Sequence, residues 1–175
     1  MCPSYFRIRI SIDEALKRFA EWIEFPQVGP PQEVRESDAV RMACANDAWK
    51  SIVAVFVYEY DGWSVFEDFT GYLASLAADR WSALAGQEEL VFAGYNDTVP
   101  YGQLIVVHSG RVIREFLDDQ QDPQDNVNRG ELAFEQQSPI KNWIDVAAFV
   151  DDDVYATSPN KGLLWMFGEQ SNPSR

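Results

Sequence analysis

Histidine occurs once in this 175-residue chain, as His108, and cysteine twice, as Cys2 and Cys44. That scarcity excludes several chemistries. Three such residues, far apart in the chain, do not supply the ligands of a zinc centre. A lone histidine offers a nucleophilic triad one candidate base and no partner in sequence. Two cysteines, one of them next to the N-terminal methionine, do not make a disulfide framework. His108 follows a strand-like run and precedes Ser109-Gly110, so it reads as a strand-edge or turn histidine. The ten glycines fall in neither a G-x-x-x-x-G-K-[ST] nor a G-x-G-x-x-G pattern, which removes the common nucleotide-binding signatures. No apolar run approaches the ~20 residues that span a bilayer. The opening MCPSYFRIRISIDE has no apolar core of a signal peptide. The expectation is a soluble protein in the reduced cytoplasm.

Positive charge is the other shortage. Fourteen Lys and Arg stand against twenty-eight Asp and Glu, a formal charge of −14. Residues 1–50 hold seven basic and eight acidic side chains (7 − 8 = −1), and residues 51–175 hold seven and twenty (7 − 20 = −13). Such a body repels nucleic acid and anionic lipid, so neither is expected as a partner. It favours a basic protein, whose approach the field would speed and orient. Solubility alone is the plainer use of the same charge.

What is present is a core. Hydrophobic residues make up 46% of the chain and aromatics 14%, six of them Trp, which argues for packing and against disorder. The length suits one domain, residues 1–175. Tyr5 to Ile10 alternates Phe6, Ile8 and Ile10 with Arg7 and Arg9, the mark of a half-buried strand. Ser11-Ile12-Asp13-Glu14 has the form of a capping box, and Leu16, Phe19, Ala20 and Ile23 continue at helical spacing until Pro26. Pro26 to Gln32 reads as a loop, and Asp38 to Lys50 as a weakly patterned helix. Ile52 to Tyr60 and Trp63 to Phe66 flank Asp61-Gly62, a strong hairpin signal. Ser75 to Ala85 is expected as a helix burying Leu76, Trp81 and Leu84. Leu90 to Tyr95, Gln103 to His108 and Arg111 to Phe116 are expected as strands, the last two joined at Ser109-Gly110. Asp118 to Gly130 is polar and reads as a long loop. Pro139 to Val150 places Ile140, Trp143, Ile144, Ala147 and Ala148 on one helical stripe, and Gly162 to Phe167 is a final strand, after which the chain is expected to fray. The fold class is α+β: one mainly antiparallel sheet of about five or six strands with three or four packed helices.

The carboxylates invite a metal reading. Asp118, Asp119, Asp122 and Asp125 lie close together, and Asp151, Asp152 and Asp153 are consecutive. An EF-hand beginning at Asp118 would need Gly at its sixth position and Glu at its twelfth, where Pro123 and Arg129 stand. A looser divalent-ion site, or an enzyme or small-ligand domain built on these carboxylates, stays open as the alternative. Glu67 and Asp68 are the only acidic pair set among aromatics, but neighbours in an extended chain face opposite ways and would not cooperate as an acid/base pair. No residue is assigned a catalytic role, and no metal or cofactor is expected. The segment Gly94 to Gly102 holds Tyr95, Asn96, Asp97 and Tyr101 around Pro100. Tyrosines in a rigid turn suit recognition, although Asn-Asp serves plain turns as well.

Four segments, DGWSVFEDFTG, ELVFAGYNDTVPYGQL, REFLDDQQDPQDNVNRG and WIDVAAFVDDD, resemble immunity proteins of bacterial polymorphic-toxin systems, the small acidic α+β proteins associated with Rhs and type VI secretion toxins. The resemblance runs from Asp61 to Asp153 and leaves residues 1–50 outside it. It implies a non-enzymatic protein that binds one cognate toxin domain, basic in character, and occludes its active site. The expected surface joins Asp118, Asp119, Asp122 and Asp125 as charge to Tyr95, Asn96, Asp97 and Tyr101. Whether those two segments meet depends on strand order.

Overall fold

A computed structural model describes residues 4–45, 52–152 and 159–168. Cys2, the C-terminal end of the helix expected over 38–50, Asp153 and the C-terminal residues expected to fray lie outside the described residues. The strands are β1 (Ser4–Ile8), β2 (Gln32–Arg35), β3 (Ile52–Tyr60), β4 (Trp63–Asp68), β5 (Leu90–Asn96), β6 (Tyr101–His108), β7 (Arg111–Asp119), β8 (Val127–Arg129) and β9 (Lys161–Gly168). The helices are α1 (Ile12–Trp22), α2 (Glu36–Ala43), α3 (Ala78–Ala85) and α4 (Trp143–Val150).

All nine strands join one antiparallel sheet in the order β2-β9-β3-β4-β1-β5-β6-β7-β8. The α+β class and the antiparallel pairing are as expected, but the sheet has nine strands and not five or six. Seven of the nine match strand segments expected one by one; the two without a sequence signal are β2 and β8, four and three residues at the two edges, polar and largely exposed. Edge strands of this kind carry no buried alternation to read, because a neighbour's hydrogen bonds hold them in place. The segment 118–130 is therefore no continuous loop: β7 runs to Asp119, one 3₁₀ turn follows at Pro123–Asp125, and β8 closes it.

Both hairpin signals hold. Asp61 and Gly62 have φ of 47° and 76°, and Ser109 and Gly110 have 50° and 73°, the paired left-handed residues of a turn that matches strand twist. Other expectations shift. Ser11 caps α1 without a side-chain hydrogen bond, so the capping box does not form. The Ile12 amide donates instead to the Glu59 carboxylate of β3 at 3.3 Å.

The sheet is buried on both faces. Phe6, Ile8, Phe66, Phe92 and Ile105 turn one way and pack under α1 and α3 with Phe19, Trp81 and Leu84. Tyr5, Phe56, Val65, Ala93, Leu104 and Phe116 turn the other way, where α2 covers one part of the sheet and α4 another. The first face is an aromatic stack in which Phe6 lies 4.4 Å from Phe66 and Trp81 lies 4.3 Å from Phe92, centroid to centroid. Each such side chain removed from water is worth about 2–3 kcal/mol. The core therefore centres on β1, the middle strand, and on the hairpins beside it.

Candidate functional site

Strand order decides the geometry that sequence spacing left open. Because β6 lies between β5 and β7, the β5–β6 turn and the segment after β7 emerge at the same end of the sheet. Tyr101 pairs with Asp119 and with Asn96, and the Gln120 amide donates to the Pro100 carbonyl at 3.1 Å. The Tyr95–Tyr101 segment and the acidic segment are thus side by side.

Within that edge the eight expected residues divide by what holds them. Asn96 folds its own turn, its side-chain oxygen accepting from the Thr98 and Val99 amides at 3.0 and 3.2 Å. Asp119 does the same for Gln121 and Asp122 at 2.8 and 3.3 Å. Asp97, Asp122 and Asp125 stand exposed. Tyr101 is half-buried, and its hydroxyl donates to the Ala74 carbonyl at 3.0 Å and meets the Gln103 amide oxygen at 2.8 Å. Asp118 is buried, only 6% exposed, and is a scaffold residue. One oxygen accepts from the Trp143 amide at the start of α4 at 2.8 Å; the other accepts from Gln120 and Asn126. A carboxylate at a helix N-terminus is favoured by the orphan amides and the dipole there.

α4 crosses this part of the sheet. Gly102 lets it approach: a Cβ there would sit 2.6 Å from the Trp143 Cα. At its far end the Tyr95 hydroxyl donates to Asp151 at 3.0 Å. Partial burial, that hydrogen bond and the charges of Asp151 and Asp97 push the Tyr95 phenol up from its ordinary value. The outcome is an acidic end of the sheet bearing Asp97, Asp119, Asp122, Asp125 and Asp151, of which Asp97 and Asp151 act directly on Tyr95. Asp151 was legible only as part of an acidic run; its contact with Tyr95 is tertiary.

The helix also departs from its sequence pattern. The stripe through Ile144 and Ala148 is not the packed one. Val146 and Val150 are buried against the sheet, Ala148 is exposed and Ile144 is 59% exposed. Helix α4 begins at Trp143, capped by Asn142, whose side chain accepts from Ile144 and Asp145 amides; Ile140 is buried ahead of it. That start, together with the Asp118 contact, sets the helix's rotation. A groove of about 740 Å³ runs between its outer side and the Ala133–Gln136 turn, with Phe134 and Phe149 stacked 5.7 Å apart along it.

The remaining candidates lie elsewhere. His108 is exposed at the opposite end of β6. Glu67 and Asp68 do face opposite sides: Glu67 accepts from the Tyr58 hydroxyl at 2.9 Å, while Asp68 accepts from Ser4, Thr70 and Leu73. Burial pushes the Asp68 carboxyl above its ordinary range, opposed by those bonds from Thr70 and Leu73. Among the described residues, no group of three or more His, Cys, Asp or Glu side chains is placed to hold a metal ion, and no helix is long and apolar enough to cross a membrane. No family model, curated protein or solved structure matches the chain.

Proposed function

We propose that this chain is an immunity protein: it binds a cognate bacterial toxin domain of basic character in the cytoplasm and covers that domain's active site. The observation that carries the reading is the convergence of the Tyr95–Tyr101 turn and the Asp119–Asp125 segment on one edge. That end of the sheet carries Asp97, Asp119, Asp122 and Asp125, and the Tyr95 hydroxyl there donates to Asp151. An acidic rim steers a basic partner, and a pre-ordered aromatic supplies contact area without a large ordering cost. Asp118 serves the surface indirectly, by seating α4 and the segment that bears the exposed charges.

The test is affinity capture from the native host's lysate at low and moderate salt, identification of the captured protein, and kinetics with it. The triple variant Asp119→Asn/Asp122→Asn/Asp125→Asn keeps the turn-forming oxygen at 119 and removes three charges. It is expected to slow association about tenfold at low salt, with dissociation little changed, because rim charges act on encounter. A captured partner that is basic and toxin-like supports the reading. An unchanged association rate takes this segment out of the interface, and capture of no protein partner defeats the proposal.

A further inference from the structure

α4, WIDVAAFV, is apolar at every position but Asp145, although only one side of it meets the sheet. Helices of that composition are ordinarily enclosed. Here the outer side is open: among the four large hydrophobic side chains most exposed in the described residues, Phe134 (42%) lines the groove, and Ile144 (59%) lies outside its lining, one helical turn before the lining residue Ala148. Its apolar lining is Phe134, Pro139, Ile140, Ala148 and Phe149. Its charged lining is Asp145 and Asp152 against one Lys141. One oxygen of Asp145 is taken by the Lys141 and Asn142 amides, whereas Asp152 is exposed and adjoins Asp151, the partner of Tyr95. The groove therefore continues the acidic edge through the C-terminal end of α4. An apolar slot rimmed by polar groups is the usual form of a protein-interaction site.

We infer that the groove between α4 and the Ala133–Gln136 turn receives a basic amphipathic helix of the partner protein. Aliphatic side chains of that helix fill the space beside Ile144, Ala148 and Phe134, and its Lys or Arg side chains face Asp152 and the carboxylates beyond. The inference rests on the proposed binding of a basic protein, and it assigns the anchoring contact to a surface separate from the loop charges. Helix-in-groove docking draws its affinity from such anchors and its orientation from the charged rim.

The probe is a labelled model helix of about 18 residues with Leu on one face and Lys on the other, read by fluorescence anisotropy against the whole protein. A counterpart with Glu for Lys is the control. Ile144→Glu and Ala148→Glu place charge on exposed positions of α4, so melting temperature and circular dichroism are expected to stay as in the unmodified protein. Each is expected to weaken binding of the Lys helix about tenfold or more, while Asp122→Asn/Asp125→Asn weakens it less and mainly at low salt. Equal binding to the groove variants, or no binding to the unmodified protein, overturns the groove assignment. If the loop variant alone then loses binding, the basic-partner reading stands without the groove. Equal binding of the Glu helix removes the charge argument and the inference with it. A dimer by light scattering that Ile144→Glu converts to a monomer would give the groove to a second copy of this chain, and the inference fails.

Discussion

Single atoms decide how the site is seated. Gly102 touches α4 so closely that a Cβ would lie 2.6 Å from the Trp143 Cα and 2.9 Å from its Cβ. Gly102→Ala is therefore expected to cost about 2 kcal/mol, the scale of overpacking, because backbone on one side and sheet on the other leave nothing to yield. Gly29→Ala, with nothing within 4 Å, is the matched neutral change. Urea denaturation of both checks this; equal midpoints would mean that α4 moves freely on the sheet. Asp68 carries a pH prediction. Its folded carboxyl is held above the ordinary value of 3.8, chiefly by burial. A raised group contributes stability below the unfolded value and loses it as pH climbs through the folded one. The stability of the unmodified protein relative to Asp68→Asn is thus expected to fall as pH rises from about 3.8, then level off. Denaturation of both proteins across that range measures it. A difference that grows with pH would show that the Ser4, Thr70 and Leu73 donors outweigh burial and hold the carboxylate ionised.

At the scale of elements, one buried ion pair fixes the outer part of the sheet. Arg114 of β7 is 1% exposed and meets Glu135 in a two-pronged contact at 2.7 and 2.9 Å. The same guanidinium donates to the Asn128 side chain and the Arg129 carbonyl of β8, and Glu135 accepts from the Leu132 and Ile140 amides. Strand β8, the Ala133–Gln136 turn and the lead into α4 are all tied to this pair. Removing one partner leaves a buried charge unmatched, so Glu135→Ala is expected to cost about 3 kcal/mol or more. Proteolysis should then cut first between residues 120 and 142, and cleavage elsewhere at the same rate would argue against this local role. In the sequence, Arg114 and Glu135 look like any other strand and loop charges. The Ile52–Tyr60 strand and both hairpins were legible because β-branched runs and Asp-Gly or Ser-Gly turns act locally. β2 and β8 were not, since their pairing partners lie elsewhere in the chain. The rotation of α4 was misread for a related reason. All its residues but Asp145 are apolar, so the spacing offers two stripes, and tertiary contacts such as those of Asp118 and Asn142 choose between them.

The whole molecule carries −14, placed almost entirely after residue 50. Charge of one sign opposes compaction, and salt screens it over about 10 Å at 0.1 M. Melting temperature is therefore expected to rise by several degrees between about 0.02 and 0.5 M NaCl. A fall would mean that exposed pairs such as Arg9–Glu89 and Arg35–Asp38 matter more than the net repulsion. Scale also separates the two sources of the site. The amino-acid sequence by itself determined the acidity, the aromatic core, the antiparallel hairpins and the tyrosines and carboxylates in the two segments, because charge is additive and turn and strand preferences are set by nearest neighbours. Tertiary structure alone decided that those segments adjoin, that Asp118 is buried as a support, that Tyr95 meets Asp151, and that an apolar side of α4 faces out. Each of these depends on which strand lies beside which, and hydrogen bonds between residues distant in the chain decide that.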